Sequence, residues 1–375
     1  MFTQEEINKA YKYVKEDDDN FFNDFEMEYH DPYNENEFKF YGSGVIEHKT
    51  LGRFTEEEIN KVKLVSKDVP WLATQSAGIQ IHFKTDSRLI TVRAFENGVH
   101  DMKNMNFMAQ CGFDLYYKEN GQYIYHNSTF GNYIDAKKFV ANLGVFREKK
   151  EREIVINLPL YIGLVTLDIG LEKGSIIKPN CDLKSGRIVC YGTSILQGGC
   201  VSRPGLCITN VLSRYFEREV LNYGFSGAGL LEEEIGEVIA SRDDIKLLII
   251  DAEANAGCDK RMVNNFEKFI NKFYERYPNL PVIVMNKTKM AIDSFLPRNK
   301  GMKIFNDRFL KAMVNKYKRK GKEIYFVDNY HIFDKQDIDS SEFTVDGVHP
   351  NDMGMHLLTN SYIKAIKKVK SLDLK

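Results

Sequence analysis

Up to about residue 185 the chain alternates apolar and polar positions in short stretches. "IQIHF" from Ile79 and "LITVRAF" from Leu89 repeat every second residue, the period of strands with one face in a core and the other in water. "QYIYHN", "REIVINLP" and "VTLDIGL" continue the theme, separated by turn signals such as Asn120-Gly121. Many short strands of this kind predict an antiparallel sandwich or jelly roll. From Gly186 onward the rhythm changes. "RIVCYG", "EVLNYG", "IKLLIIDA", "LPVIVMN" and "EIYFVDN" are short apolar runs, and residues 208–216, 262–274 and 302–317 between them have helical spacing. That alternation predicts a flavodoxin-like parallel sheet with helices on both faces. Right-handed crossovers then set the C-terminal strand ends along one edge, where open α/β sheets bind ligands.

At 375 residues the chain is long for one core. We expect two domains, residues 1–185 and 186–375, meeting near "GSIIKPNCDLKSG". "FTQEEINK" at Phe2 and "FTEEEINK" at Phe54 look like a repeat. Each reads as a helix start, with Thr at the N-cap, Glu three later and a Phe/Ile staple (Phe2/Ile7, Phe54/Ile59). "EDDDN" at Glu16 reads as a solvated helix end.

Charge and cysteines narrow the classes. With 52 basic and 53 acidic residues and no basic stretch, the chain carries no nucleic-acid footprint. The N-terminus lacks the apolar core of a signal peptide, and no run approaches the roughly 18 apolar residues of a membrane span. We therefore expect a cytoplasmic protein with no membrane partner. The six cysteines, Cys111, Cys181, Cys190, Cys200, Cys207 and Cys258, form no C-x-x-C pair, which fits reduced thiols and argues against zinc. His82, His100 and His126 lack ligand spacing on one element, so no metal is expected.

Candidate chemistry gathers at the strand-end edge. Ser194 in "YGTSILQGG" follows the first α/β run. It is either the cap of the next helix or a nucleophile. Asn255 follows the third run. Asp346 and His349 sit three apart in "TVDGVHPNDMG", with Pro350 expected to open the last helix. A serine hydroxyl needs a base to take its proton, and that base needs a carboxylate to hold its tautomer. "NYGFSGAG" also admits a nucleotide-binding reading, but its G-x-x-G-x-G spacing reverses the dinucleotide fingerprint, and no Walker-type lysine occurs. A non-catalytic carbohydrate-binding protein is the other rival.

"GTSI", "NYGFSGAG", Asn255 and Asp346/His349 together resemble, in order and spacing, the four blocks of the SGNH (GDSL-type) hydrolases. The resemblance covers roughly residues 186–370. "CGFDLYY" from Cys111 resembles the G-x-D-L-Y motif of a β-sandwich domain found ahead of one SGNH branch, and "SRPG" at Ser202 fits that branch. Two departures stand out. The first block lacks the usual aspartate before the serine, and the third reads "EANA" rather than Gly-x-Asn-Asp.

The resemblance implies Ser194 as nucleophile, His349 as base and acid, and Asp346 as its orienting carboxylate. It implies an oxyanion hole of the Ser194 and Gly227 backbone N–H groups and the Asn255 amide, with Gly224 and Gly229 as neighbouring alternatives to Gly227. Arg203, Glu253 and Trp71 are candidate substrate contacts. Glu253 alternatively partners a nearby basic group, and Trp71 alternatively fills the sandwich core. The resemblance needs no cofactor. Residues 302–317 have an apolar face expected to pack on the sheet rather than serve as a lid. The expected activity is hydrolysis of a carboxylic ester through an acyl-enzyme, on a small polar substrate such as an acetylated carbohydrate, with a homo-oligomer left open.

Overall fold

The computed structural model describes residues 3–5, 25–43, 45–47, 50–97, 102–129, 138–181 and 183–373. Phe2, Ile7, the acidic run at Glu16 and His100 lie outside them. The parallel sheet forms from the five apolar runs: Lys184–Gly192, Arg218–Gly224, Ile245–Asp251, Val282–Met285 and Ile324–Val327. The first of these lies between the second and the third, and the others follow outward in sequence order. All neighbours are parallel, the flavodoxin-like order expected of alternating strands and helices.

Both faces of this sheet are covered, which explains why its strands read as continuous apolar runs. Val189, Tyr191, Leu248 and Ile250 face one core; Ile188, Cys190, Leu247 and Ile249 face the other. Helix Arg261–Arg276 packs Met262, Phe266, Phe269 and Phe273 on the first face, and the second half of Pro297–Arg319 adds Leu310, Val314 and Tyr317. Ile208–Phe216 and Asp352–Ile366 cover the opposite face.

The N-terminal half holds two antiparallel sheets. One runs Met27–His30, Gly163–Glu172, Leu89–Asn97, Lys138–Val145. The other runs Ile177–Pro179, Gln80–Thr85, Arg152–Asn157, Asp114–Glu119, Gln122–Ser128, with Lys39–Tyr41 also beside Gln80–Thr85. Alternate residues (Ile79, Ile81, Phe83; Ile90, Val92, Ala94) meet in a third core between them. Asn120 and Gly121 turn the hairpin with φ of 51° and 78°, the left-handed pair that a two-residue turn needs. His82 is buried 3.3 Å from Gln80, and His126 accepts the Val145 N–H at 2.9 Å. Both are packing residues.

Not all of the first half packs in the sandwich. Helix Glu56–Val62 starts with the expected capping box between Thr55 and Glu58. It lies with Val69–Leu72 on the hydrophobic face of the parallel sheet, where Phe54, Val62, Val69 and Leu72 are buried. Beside them Arg53 is wholly buried, its guanidinium donating to the carbonyls of Leu72, Asn222 and Gly224 and lying over the Phe225 ring. Burial lowers its pKa to about 9. On the other face Met105, Ala109, Leu160 and Tyr161 join the second core. The sandwich half thus grips the parallel sheet on both sides of its C-terminal edge.

No described helix is long and apolar enough to cross a membrane.

Candidate active site

Strand Lys184–Gly192 ends where only glycine fits, since a Cβ at Gly192 would lie 2.5 Å from the Asp251 carbonyl. Thr193 is extended, Ser194 opens a single helical turn to Gln197, and Gly198 closes it with φ of 113°. The first N–H groups of a helix have no partner within it, and the Ser194 N–H has none among the described residues. The capping alternative for Ser194 fails: the N-cap is Thr193, which makes no side-chain cap. The Ser194 Oγ instead lies 2.9 Å from the His349 Nε2.

His349 belongs to a turn closed by the bridge between Thr344 and Pro350. Asp346 organises that turn. Its Oδ1 accepts the backbone N–H groups of Val348 (3.0 Å) and His349 (2.8 Å), and its Oδ2 accepts the His349 Nδ1–H at 2.8 Å. Burial alone would raise the Asp346 carboxyl, but these donors and the Asn104 amide outweigh it and hold the group well below the usual carboxylate range. Pro350 does not open the last helix. Asn351 caps it by accepting the Gly354 N–H, and the helix begins at Asp352.

Asn255 sits on a one-turn helix, Glu253–Ala256, just past strand Ile245–Asp251. Its Oδ1 accepts the Gly229 N–H at 3.3 Å, and among the described residues its Nδ2 has no protein partner. That contact also separates the three candidate glycines. Gly229 N–H is spent on Asn255, and Gly224 N–H is spent on the Asn222 side chain at 2.9 Å. Gly227, with φ of 69°, faces open space and its N–H has no described partner. A glycine loop with two of its N–H groups consumed internally is poorly equipped to cradle a phosphate.

The remaining candidates disperse. Arg203 donates to Asp114 (2.8 Å) and Tyr116 (2.7 Å) and lies over the Tyr125 ring. It is a seam residue, and Asp114 and Tyr116 are the D and Y of the "GFDLY" motif. Asp114 is fully buried and also accepts from the Gly205 N–H and Asn157. Glu253 is buried with both oxygens taken, by the Lys287 N–H and the Asn306 amide. Burial raises its pKa. Trp71 is half exposed, so it does not fill the sandwich core. It lines a cavity of about 230 Å³ with Asp68, Met102, Gln110, Tyr161 and Ser226. A larger hollow of about 600 Å³ lies by Ser185, Ile245 and Pro281 at the opposite edge of the sheet, and no triad residue reaches it.

Sequence reasoning missed what the sandwich half brings across. Tyr161 Oη donates to the Ser194 carbonyl at 3.1 Å, Asn104 Nδ2 donates to Asp346 Oδ2 at 2.7 Å, and Gln75 accepts from Gln197. None lies in a motif, because each contact depends on how the two halves dock. Cys200, whose sulfur lies within 4.8 Å of a ring nitrogen of His349 and a carboxylate oxygen of Asp346, is a poor rival nucleophile. Burial and the Asp346 charge push its thiol up to about 12.

Residues 185–367 match the GDSL-like lipase/acylhydrolase family, and residues 27–177 match the GxDLY N-terminal domain of SGNH-hydrolase-type esterases. The chain belongs to this two-domain group of SGNH esterases. A protein of Bacteroides ovatus ATCC 8483 described as a GDSL-like lipase is 27% identical, with a TM-score of 0.83 over 93% of this chain and 100% of that one. A salicylyl-acyltransferase of a tetracycline biosynthetic pathway shares the fold at 15% identity (TM-score 0.74; 92% and 99% covered). So does a family two carbohydrate esterase of Clostridium thermocellum, an active-site mutant in complex with a cello-oligosaccharide, at 10% identity (TM-score 0.59; 93% and 100% covered). No curated protein sequence matches the chain.

Proposed function

We propose that this esterase removes acetyl or another short acyl group from a carbohydrate or similar small polar alcohol, with Ser194 as its nucleophile. The observation that carries the chemistry is the unbroken chain Asp346–His349–Ser194 at 2.8 and 2.9 Å. His349 Nε2 takes the proton as Oγ adds to the ester carbonyl, and Asp346 stabilises the imidazolium that forms. The oxyanion faces the N–H groups of Ser194 and Gly227 and the free Nδ2 of Asn255. On collapse the C–O bond to the alcohol breaks, His349 returns its proton to the leaving oxygen, and an acyl-Ser194 ester remains. Water, deprotonated by the same imidazole, adds to the acyl carbon; the bond to Oγ then breaks, Oγ takes the proton back from His349, and the acid leaves.

The substrate class rests on the cavity beside Ser226 and Tyr161. It is small, its rim carries the Trp71 indole, and Asp68 and Ser226 offer polar contacts. A half-exposed indole beside hydrogen-bonding groups suits the apolar face and hydroxyls of a sugar ring. Carbohydrate esterases among proteins of the same fold are consistent with it.

The test is labelling with a fluorophosphonate followed by intact-mass measurement. One adduct is expected, and none in Ser194→Ala, which also lowers hydrolysis of an activated ester by at least ~10³-fold. Near wild-type turnover in that variant would sink the serine mechanism. p-Nitrophenyl acetate is expected to exceed the octanoate at least ~10-fold in kcat/KM, with acetylated sugars competing. Preference for octanoate without competition points to a lipid ester instead.

A further inference from the structure

The Asp346 carboxylate is held from both halves of the molecule. Its Oδ1 is fixed by two N–H groups of its own turn, while Oδ2 is shared between His349 Nδ1 and the Asn104 amide. Asn104 lies 242 residues away in sequence. Its loop is not a loose surface strand. The Gln110 side chain clasps it at three points, donating to the carbonyls of Met102 (2.9 Å) and Met105 (2.7 Å) and accepting the Met102 N–H at 3.3 Å. Met105 is buried in the core shared with the parallel sheet, and Asn106 caps helix Phe107–Cys111. The donor is therefore delivered on a braced element.

We propose that Asn104 is a positioning residue of the catalytic machinery: the sandwich domain supplies it to aim Asp346 Oδ2 at His349, so the α/β half alone carries an incomplete site. The proposal rests on the reading of Ser194, His349 and Asp346 given above. A carboxylate anchored only through Oδ1 can rotate Oδ2 away from the imidazole. A second donor on Oδ2 fixes the plane, and with it the histidine ring. Among the described residues the titratable groups facing Asp346 are His349 and the Cys200 thiol, so a charge placed at position 104 reaches the base directly.

Two variants of the full chain separate this role from simple packing. Asn104→Ala removes the donor and is expected to lower kcat about 10-fold, the loss of one hydrogen bond to a charged group, with KM nearly unchanged. Asn104→Asp keeps the shape, removes the donor and sets a second carboxylate against the first. It is expected to lower kcat further at neutral pH and to move the acid limb of the kcat/KM profile upward by roughly half a unit or more. Thermal melting of both variants accompanies the kinetics. A wild-type kcat and an unmoved profile in Asn104→Asp overturn the proposal, as does a loss in either variant confined to KM or to melting temperature. If the wild-type chain itself takes no fluorophosphonate, the fault lies in the serine reading and not in Asn104.

Discussion

The motifs at residues 192–195 and 112–116 are made of similar parts: a glycine, a turn and one polar side chain at a strand end. They spend that side chain in opposite ways. Asp114 is completely buried and saturated by Arg203, Asn157 and the Gly205 N–H. Ser194 has a single titratable partner, and around it the N–H groups of Ser194 and Gly227 and the Asn255 amide have no partner among the described residues. Saturation marks a joint, and donors left open around one oxygen mark a reaction centre. "GFDLY" is thus the clasp of the two halves, and "GTSI" is the place where we propose they meet a substrate.

The sharpest way to break this contrast is at Asn255. Asn255→Ala removes a donor aimed at the developing oxyanion, and kcat is expected to fall by roughly 10²–10³ with KM little changed. A raised KM at constant kcat would move Asn255 to the binding side. The clasp predicts the reverse pattern. Asp114→Ala strands the Arg203 guanidinium, which is expected to cost about 3–5 kcal/mol in urea unfolding, while kcat per folded molecule stays within a few-fold. Normal stability with lost kcat would mean that the seam acts on the chemistry.

A smaller effect compares two aspartates near the same edge. Asp346 is pulled down by its donors, whereas burial pushes Asp251 up to about 7, with the Tyr362 hydroxyl opposing and the Glu253 charge adding. Unfolded, Asp251 titrates near 3.9, so the folded state binds the extra proton. Its contribution to stability is whole below pH ~4 and is lost as pH rises to ~7. Asp251→Asn, which cannot ionise, is expected to melt about 5 °C above wild type at pH 8, with the gap closing by pH ~4. A gap that persists in acid would trace the gain to packing.

What was legible followed from range. The five strands of the parallel sheet, the serine turn and the D-x-x-H turn are each set by residues within a few positions of one another, and all appear where expected. Gly227 differs from Gly224 and Gly229 only through contacts of the folded chain, which take the N–H groups of the other two. Arg203 read as a substrate contact because its partner Asp114 is 89 residues away, on a strand whose docking no local pattern shows. Asn104 and Tyr161 carried no signal at all. Their contacts exist only once the sandwich is seated, which also draws residues 54–72 out of the sandwich and onto the hydrolase core.

The buried Arg53 has a consequence for how the chain comes into being. Its carbonyl partners at Asn222 and Gly224 are 169 and 171 residues downstream. During synthesis the first half emerges with a guanidinium for which, of its three carbonyl acceptors, only Leu72 has yet been made. Domains usually complete folding in order of emergence; here the earlier half waits for the strand Arg218–Gly224 before its guanidinium can leave water. The segment that carries Arg53 therefore docks late, after the strand Arg218–Gly224 has been made, whereas the core between the two antiparallel sheets includes none of that segment and has no such dependence.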